Sequence, residues 1–329
     1  MKIISLFSGA GGMDLGFKKA GFQVIWANEF DKKIWETYRC NHPDTCLDTR
    51  SIRDIPLTDI PDGIVGIIGG PPCQSWSLAG EMRGINDERG QLFFEYLRVL
   101  KGKKPYFFVL ENVPGILSTT HKKTFLNIMK LFEECNYKVS YDILNAHDYN
   151  VPQLRKRVIV IGYRKDLNKK FDFDKVVKSP YKPVLKDAIS DLPEPVAALP
   201  KNHANPDLLI PNHEYMTGGF SSIYLSRNRK KNWNEPSFTI QASGRHAPLH
   251  PASSPMIKID KDHWTFDIYS PYPYRRLSVR ECARIQTFPD DFIFLYKFVN
   301  DGYKMVGNAV PVNLAYAIGK AIMEDLYQK

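Results

Sequence analysis

The sequence predicts an α/β fold with a doubly wound, Rossmann-like parallel sheet and a smaller, irregular second domain. Short β-rich runs alternate with amphipathic stretches through the first half of the chain, which is the pattern of such a sheet. Glycine-rich or acidic motifs follow several of these runs, at the carboxyl edge where such folds bind ligands. From about residue 168 the sequence becomes proline-rich and irregular.

Hydrophobic periodicity predicts the individual elements. Six β-rich runs are predicted as strands, at residues 3–7, 22–27, 64–68, 106–110, 139–144 and 158–163. Apolar residues at spacings of three and four predict helices over 13–20, 32–41, 92–100, 124–135 and 311–326. Pro311 opens the last of these helices, which is expected to pack back on the first domain.

The predicted domain organisation follows from these elements and from the change in composition. A length of 329 residues suits one large domain and a smaller one. We expect residues 1–167 and 303–329 to form a discontinuous large domain, 168–274 a second domain and 275–302 a connecting segment. The second domain is dense in Arg, Lys, His, Asn and Ser around residues 226 to 250, which favours a recognition surface.

Composition limits the classes of function. The formal net charge of +9 favours an anionic partner, and nucleic acid fits best. No long apolar run predicts a membrane span, and no secretion signal is evident, so we expect a cytoplasmic, nucleoid-associated protein. Five scattered cysteines without a Cys-x-x-Cys spacing predict reduced thiols and no metal site.

A cysteine on a rigid turn is the first candidate for chemistry. Pro71-Pro72-Cys73-Gln74 follows an apolar run and two glycines, so the Cys73 thiol is expected on a fixed loop. Two interpretations stay open at this point, a nucleophile or a buried core thiol. The residues after it, 75–89, include glycines suited to a closing loop.

A glycine-rich loop and an acid suggest a nucleotide-like cofactor. Residues 7–12, Phe-Ser-Gly-Ala-Gly-Gly, follow the first strand and open a helix, although a plain tight turn is the alternative. Glu29 ends the second strand, where a carboxylate accepts hydrogen bonds from ribose hydroxyls. Its alternative role is to cap the helix that follows.

Glu111 and two arginines are further candidates. Glu111 follows the fourth β-rich run, residues 106–110, at the sheet edge expected for Cys73, where it either donates a proton or hydrogen bond or pairs with a lysine. Alternation predicts that Arg155 and Arg157 lie on one side and point into the cleft. Paired guanidinium groups there would bind a phosphate or a base carbonyl, whereas a solvated basic strand edge is the alternative.

Together these motifs closely resemble those of the cytosine-C5 DNA methyltransferases. The matching stretches occur in the family's order between residues 3 and 313: 7–12, 71–74, 111–113, 153–157, 275–289 and 307–311. The resemblance implies that Cys73 attacks C6 of a flipped cytosine in double-stranded DNA. It also implies that Glu111 lies near ring N3 and that Arg155 or Arg157 lies near O2.

The resemblance implies S-adenosylmethionine as the cofactor. The residues implied to bind it are Phe7, Gly9, Ala10, Gly11, Gly12, Glu29, Ser51, Ile52, Pro72, Leu92, Asn308 and Val310. One of them departs from the family pattern, because Ser51 stands where the family places an aspartate that contacts the adenine.

Recognition of the target DNA sequence is assigned to the divergent segment between the matched stretches that contains residues 226–250. The residues predicted to contact DNA are Ser75, Arg227, Arg229 and Arg245. Arginine donates two hydrogen bonds to guanine more often than it makes any other specific base contact, although a phosphate contact is the alternative for each arginine. The segment also resembles that of the GGCC-specific modification methyltransferases, which implies a GGCC site and pairing with a restriction endonuclease.

Other functions share parts of this pattern. A tRNA cytosine methyltransferase has the same catalytic motifs, but the arginine-rich segment favours duplex DNA. A catalytically inactive DNA-binding protein is a second alternative, against which the intact Cys73 and Glu111 argue, and a nicotinamide or flavin oxidoreductase is a distant third. We expect a monomer, since such an enzyme modifies one strand at a time.

Overall fold

The computed structural model describes residues 1–72 and 88–327. The chain divides into two compact units. The first comprises Met1–Asn145, Lys156–Lys178 and Leu314–Lys329, and the second comprises Ala146–Arg155 and Ser179–Asn313. The roles assigned from sequence to residues 168–274 and 275–302 stay predictions.

A seven-stranded sheet forms the centre of the first unit, in the order β3-β2-β1-β4-β5-β7-β6 among the described residues. The predicted α/β class is confirmed. The strands are β1 (Lys2–Leu6), β2 (Gln23–Asn28), β3 (Cys46–Asp48), β4 (Gly66–Gly69), β5 (Phe107–Asn112), β6 (Tyr137–Asn145) and β7 (Lys156–Arg164). The sequence did not predict β3, because three residues are too few to show a period.

The sheet is mixed, and the prediction of a wholly parallel sheet is wrong for its last two strands. Strands β1 to β5 pair in parallel. Strand β7 pairs antiparallel with β5 and also with β6. The connection between β6 and β7 is short, so the chain turns back beside β6, whereas a parallel return needs a long crossover.

Helices cover the sheet where periodicity predicts them. The helices of the first unit are α1 (Gly12–Lys19), α2 (Trp35–Asn41), α3 (Glu88–Lys103), α4 (Lys122–Glu134) and α8 (Val312–Tyr327). Each overlaps a predicted helix. Helix α4 buries Phe125, Ile128 and Phe132 on one face, which follows from their three and four spacing.

Close approach between strands depends on small residues. Gly69 ends β4, and a Cβ atom there would lie 2.2 Å from the carbonyl oxygen of Leu6 in β1. A side chain would therefore force the two strands apart at the carboxyl edge. The ring centroid of Phe108 in β5 lies 4.5 Å from that of Phe132, in a tilted arrangement, and 5.2 Å from that of Tyr137, edge to face. These rings fill the core on one side of the sheet.

The second unit contains short elements and long ordered loops, as its proline content predicts. Its helices are α5 (Leu185–Ile189), α6 (Val279–Ile285) and α7 (Val299–Asn308). Its strands form two small pairs, β8 (Val196–Ala197) with β9 (Glu214–Tyr215) and β10 (Ile257–Asp260) with β11 (His263–Thr265). None of the described helices of either unit is long and apolar enough to cross a membrane.

Removal of the Phe108 side chain should destabilise the first unit strongly. Phe108 is fully buried, so Phe108→Ala leaves a cavity and should lower the free energy of unfolding by about 3–5 kcal/mol. Phe30→Ala is the matched control, because Phe30 is 69% exposed and its removal should change stability by about 0.5 kcal/mol or less. Urea unfolding of both variants measures the difference, and equal midpoints would contradict this packing.

Candidate active site and recognition surface

The glycine loop after β1 has an unusual backbone. Phe7, Gly9 and Gly11 all have positive φ angles, of 55°, 56° and 86°. Glycine adopts such angles freely, but for a bulky residue such as Phe7 they are rare and strained. Backbone strain of this kind occurs where a structure holds a loop in place for a ligand. The geometry thus favours a binding loop over a plain tight turn.

Glu29 holds this loop at the end of β2. Its Oε2 accepts a hydrogen bond from the backbone N–H of Gly9 at 2.9 Å, and its Oε1 accepts one from Asp31 at 2.8 Å. Helix α2 begins only at Trp35, so Glu29 does not cap it. Glu29 therefore fixes the glycine loop, and its contact with ribose hydroxyls stays a prediction.

A buried network supports the loop from below, and no motif in the sequence indicated it. Asp14 accepts hydrogen bonds from Ser5 at 2.7 Å and from the Tyr38 hydroxyl at 2.5 Å. His42 stacks on the Tyr38 ring, with centroids 4.5 Å apart. A Cβ atom on Gly11 would lie 2.1 Å from His42 Nε2, so the imidazole fills the space beneath the loop.

Burial shifts the pKa values of Asp14 and His42 in this network. It raises the pKa of Asp14 to about 6, although the hydrogen bonds from Tyr38 and Ser5 partly offset the effect. It lowers the pKa of His42 to about 4, and the positive charge of Lys18 lowers it further. His42 is therefore neutral at pH 7.

The segment after β3 reaches the same edge of the sheet. Asn28 Nδ2 donates to the carbonyl oxygens of Asp48 and Arg50 at 3.1 and 2.9 Å, which fixes this segment beside β2. Ser51 then caps the 3-10 helix Ile52–Asp54. The Asp48 carboxylate is already paired with the Arg50 guanidinium group. Ser51 and Ile52 therefore stay the predicted adenine contacts in this segment.

An acid and an arginine meet at the carboxyl end of β5. Glu111 Oε1 lies 2.6 Å from Arg157 Nε, and both side chains are largely buried. Antiparallel pairing of β5 with β7 places Asn112 opposite Val158, so the first residues of β7 lie beside the last residues of β5. The partner of Glu111 in the structure is therefore Arg157 and not a lysine, and a catalytic role for Glu111 stays a prediction.

The chain that leads to Cys73 starts beside this pair. A Cβ atom on Gly70 would lie 3.3 Å from Oε2 of Glu111, so the backbone passes close to the carboxylate. Asn112 Nδ2 donates to the carbonyl oxygen of Pro71 at 3.4 Å. Cys73 itself and Ser75 lie outside the described residues.

Arg155 requires a correction. It is buried and precedes β7, so strand alternation does not place it beside Arg157. Its guanidinium group donates to the carbonyl oxygens of Ile240, Gly307 and Ala309 at 2.8 to 3.0 Å. Arg155 therefore ties three segments of the second unit together and does not point into a cleft.

The other residues predicted to bind the cofactor lie in both units. In the first unit, Pro72 is exposed and Leu92 is half-buried against the core. In the second unit, Asn308 is exposed at the end of α7 and Val310 is buried. Their roles stay predictions.

The predicted DNA-contact arginines of the second unit divide into two groups. Arg227 and Arg245 are exposed. Arg229 is 5% exposed, and its guanidinium group donates to the carbonyl oxygens of Tyr224 and Ile223. We therefore withdraw Arg229 as a DNA contact and assign it a structural role.

Burial lowers the pKa of His246, and the charges of four arginines lower it further: Arg229, Arg227, Arg245 and Arg276.

The arginines of α6 and its preceding turn are structural. Arg276 donates to the carbonyl oxygens of Gly218 and Gly219, and Arg280 donates to those of Pro211 and Phe292. This segment belongs to the stretch 275–289, which matches a family motif. Each guanidinium group has several N–H donors, so one arginine can bind several carbonyl oxygens of irregular loops. The described residues contain no cluster of side chains suited to a metal ion.

These features define a doubly wound α/β enzyme with a glycine-rich cofactor loop and an acid–arginine pair at one sheet edge. Residues 1–324 match the family model of the C-5 cytosine-specific DNA methylases. The chain belongs to this family and is a DNA cytosine-C5 methyltransferase.

Individual relatives agree with this assignment over nearly the whole chain. Type II methyltransferase M.MthTI of Methanothermobacter thermautotrophicus is 57% identical, over 99% of this chain and 98% of its own length. Type II methyltransferase M.NgoPII of Neisseria gonorrhoeae is 55% identical, over 99% and 96%. The solved structure of the Entamoeba histolytica methyltransferase EhMeth has a TM-score of 0.71 at 16% identity, covers 100% of this chain and 99% of its own, and shows a shared fold.

Gly11→Ala should damage the loop more than Gly9→Ala does. Both positions have positive φ angles, but only the new methyl group at position 11 would collide with His42. We expect Gly11→Ala to lose about 1–3 kcal/mol more of the free energy of unfolding than Gly9→Ala, measured by urea titration. Combining Gly11→Ala with His42→Ala should recover part of that excess, and no recovery would show that the collision is not the cause.

The pH dependence of stability should change when His42 is replaced. Unfolded histidine takes up a proton near pH 6.5 and folded His42 only near pH 4, so the unfolded state binds more protons between these values. His42 therefore loses up to about 3 kcal/mol of stabilisation as pH falls through this range. Asp14 acts in the opposite direction, because its folded pKa is the higher one.

Comparison with His42→Asn isolates the histidine contribution, since Asp14 is present in both proteins. The stability advantage of the wild type over this variant should shrink as pH falls from 6.5 to about 4. Urea unfolding at several pH values measures it. A constant difference across this range would contradict the buried, neutral histidine.

Proposed function

We propose that this enzyme transfers a methyl group from S-adenosylmethionine to C5 of a cytosine flipped out of duplex DNA, through a covalent bond between Cys73 and C6. We propose GGCC as the site and protection from a partner restriction endonuclease as the role. The contact between Glu111 and Arg157 at the sheet edge next to Pro71 and Pro72 carries this proposal. The printed names of the relatives, type II methyltransferases, support the modification role.

The residues of the first unit fit the proposed cofactor. A Cβ atom built on Gly9 meets nothing within 4 Å, so space is open above the strained loop. Glu29 lies beside this loop, where a carboxylate suits ribose hydroxyls, and helix α1 begins at Gly12, where backbone N–H groups favour polar ligand atoms. When bound there, the cofactor supplies an electrophilic methyl group.

The chemistry requires a nucleophile because C5 of cytosine is too electron-poor to attack a methyl sulfonium. The Cys73 thiolate forms a bond to C6 and pushes electron density to C5. Glu111 would share a proton with ring N3 and so neutralise the charge that builds on the ring, while Arg157 orients its carboxylate. Once C5 carries the methyl group, a water molecule would take the C5 proton, and the electron pair of the C–H bond would expel the Cys73 thiolate from C6.

The second unit supplies candidates for recognition. A stacked base is out of reach of Cys73, so the target must leave the duplex at a cost of a few kcal/mol, which binding must offset. Exposed Arg227 and Arg245 suit contacts with guanine O6 and N7. The backbone N–H of Arg245 donates to the Ser243 hydroxyl at 3.3 Å, which helps fix the backbone at this position. We propose residues 168–274 as the recognition segment and a monomer as the acting form.

Replacement of Glu111 and Cys73 tests the catalytic proposal. Glu111→Gln keeps the shape but removes the charge and should lower kcat by about 10²–10⁴-fold. Cys73→Ala should abolish methyl transfer. Tritium transfer from labelled S-adenosylmethionine to duplex DNA measures both variants. A Cys73→Ala enzyme as active as the wild type would refute the covalent mechanism, and label in tRNA alone would refute the DNA substrate.

Bisulfite sequencing of DNA treated with the enzyme tests the site. Protected cytosines should occur within GGCC and not in the permuted sequence GCGC on the same duplex. Exposed Arg227 and Arg245 should contribute to this choice, so Arg245→Ala should relax it, since one bidentate arginine discriminates by about 1–3 kcal/mol. Protection at a different sequence would reject GGCC while leaving the chemistry intact.

A further inference from the structure

A pocket of about 180 Å³ lies in the second unit. The exposed arginines that we propose to contact bases are not part of its lining. Its lining is Asn228, Lys230, Lys231, Asn232, Glu235, Pro255 and Met256. We propose that this pocket binds a phosphate group of the DNA backbone. The proposal rests on the proposed function, because it takes the second unit to be the surface that meets duplex DNA.

The charges in the pocket leave one cation for a ligand. Lys231 Nζ lies 2.8 Å from Glu235 Oε1, so these two charges neutralise each other. Lys230 Nζ donates to the amide oxygen of Asn232 at 3.1 Å. In the part of the chain that the structure describes, no carboxylate pairs with Lys230. A phosphate oxygen is a stronger acceptor than this amide for a positively charged donor.

The backbone that carries Lys230 is already fixed. Asn228 Oδ1 accepts from the Lys230 N–H at 3.0 Å, and Asn228 Nδ2 donates to the Lys230 carbonyl at 3.1 Å. Lys230 also forms an isolated bridge with Leu249. Little backbone ordering is therefore required when a ligand binds, which favours affinity.

The opposite rim of the pocket is held in the same way. The Tyr274 hydroxyl donates to the Pro255 carbonyl at 2.9 Å, and the Arg229 N–H meets the Met256 sulfur at 3.3 Å. The pocket is thus preformed, and its polar lining consists of the Lys230 ammonium group, the Lys231–Glu235 ion pair and the amide side chains of Asn228 and Asn232. A lysine ammonium is a compact point charge, which suits a phosphate better than the patterned edge of a base.

The neighbouring charges favour DNA as the source of the phosphate. Exposed Arg227 lies three residues before Lys230, and its charge acts on Arg229 between them. Several positive charges in a row suit a polyanion such as DNA better than a single small anion. A backbone phosphate therefore binds at Lys230 while the exposed arginines contact the groove.

The salt dependence of DNA binding tests this proposal. Each neutralised phosphate contributes about 0.9 to the slope of log Kobs against log salt concentration. Lys230→Gln should reduce the slope by about this amount, equally on a GGCC duplex and on an unrelated duplex. Lys201→Gln, which replaces an exposed lysine of the same unit outside the pocket lining, should leave it unchanged. An unchanged slope in Lys230→Gln would overturn the proposal.

Duplexes with single methylphosphonate substitutions identify the phosphate and its source. One uncharged position should weaken binding by the wild type but not by Lys230→Gln. If no position behaves in this way, while inorganic phosphate binds the wild type and not the variant, the pocket holds a free anion and the backbone proposal fails. Methylation of DNA by the wild type is measured in parallel, so that failure of the pocket is distinguished from failure of the proposed function.

Discussion

The candidate catalytic centre depends on the antiparallel direction of β7. In a parallel sheet, the first residue of a strand lies at the opposite edge from the carboxyl ends of its neighbours. Because β7 runs against β5, Arg157 near its start lies beside Glu111 near the end of β5, and their charged atoms approach to 2.6 Å. The acid, the arginine and the turn that begins at Gly70 thus share one edge.

The same edge holds a glycine loop whose shape is maintained by groups beneath it. The positive φ angle of Phe7 in this loop would be costly without support. Support comes from Glu29, which binds the Gly9 amide, and from His42, which occupies the space under Gly11. Asp14 and Tyr38 link this support to β1 through the Ser5 hydroxyl. The shape of the glycine loop is therefore fixed by the residues that lie beneath it.

In the second unit, the same residue type has two roles, and burial separates them. Arg155, Arg229 and Arg280 are buried and donate to carbonyl oxygens of irregular loops, which have few backbone partners of their own. Arg227 and Arg245 are exposed, and these are the arginines that we propose as DNA contacts. A proline-rich domain with little regular structure obtains a fixed shape in this way.

The sequence by itself determined the α/β class, the positions of most strands and helices, and the family, because these depend on local periodicity and on motifs within a few residues. It also singled out Glu111, Glu29 and the glycine loop, since each directly follows a strand. Only the tertiary structure decided that β6 and β7 are antiparallel. It alone showed that Arg155 and Arg229 are structural and that His42 and Asp14 lie under the loop. Strand direction and the partner of a long side chain are set by contacts between distant segments, and no local pattern encodes them.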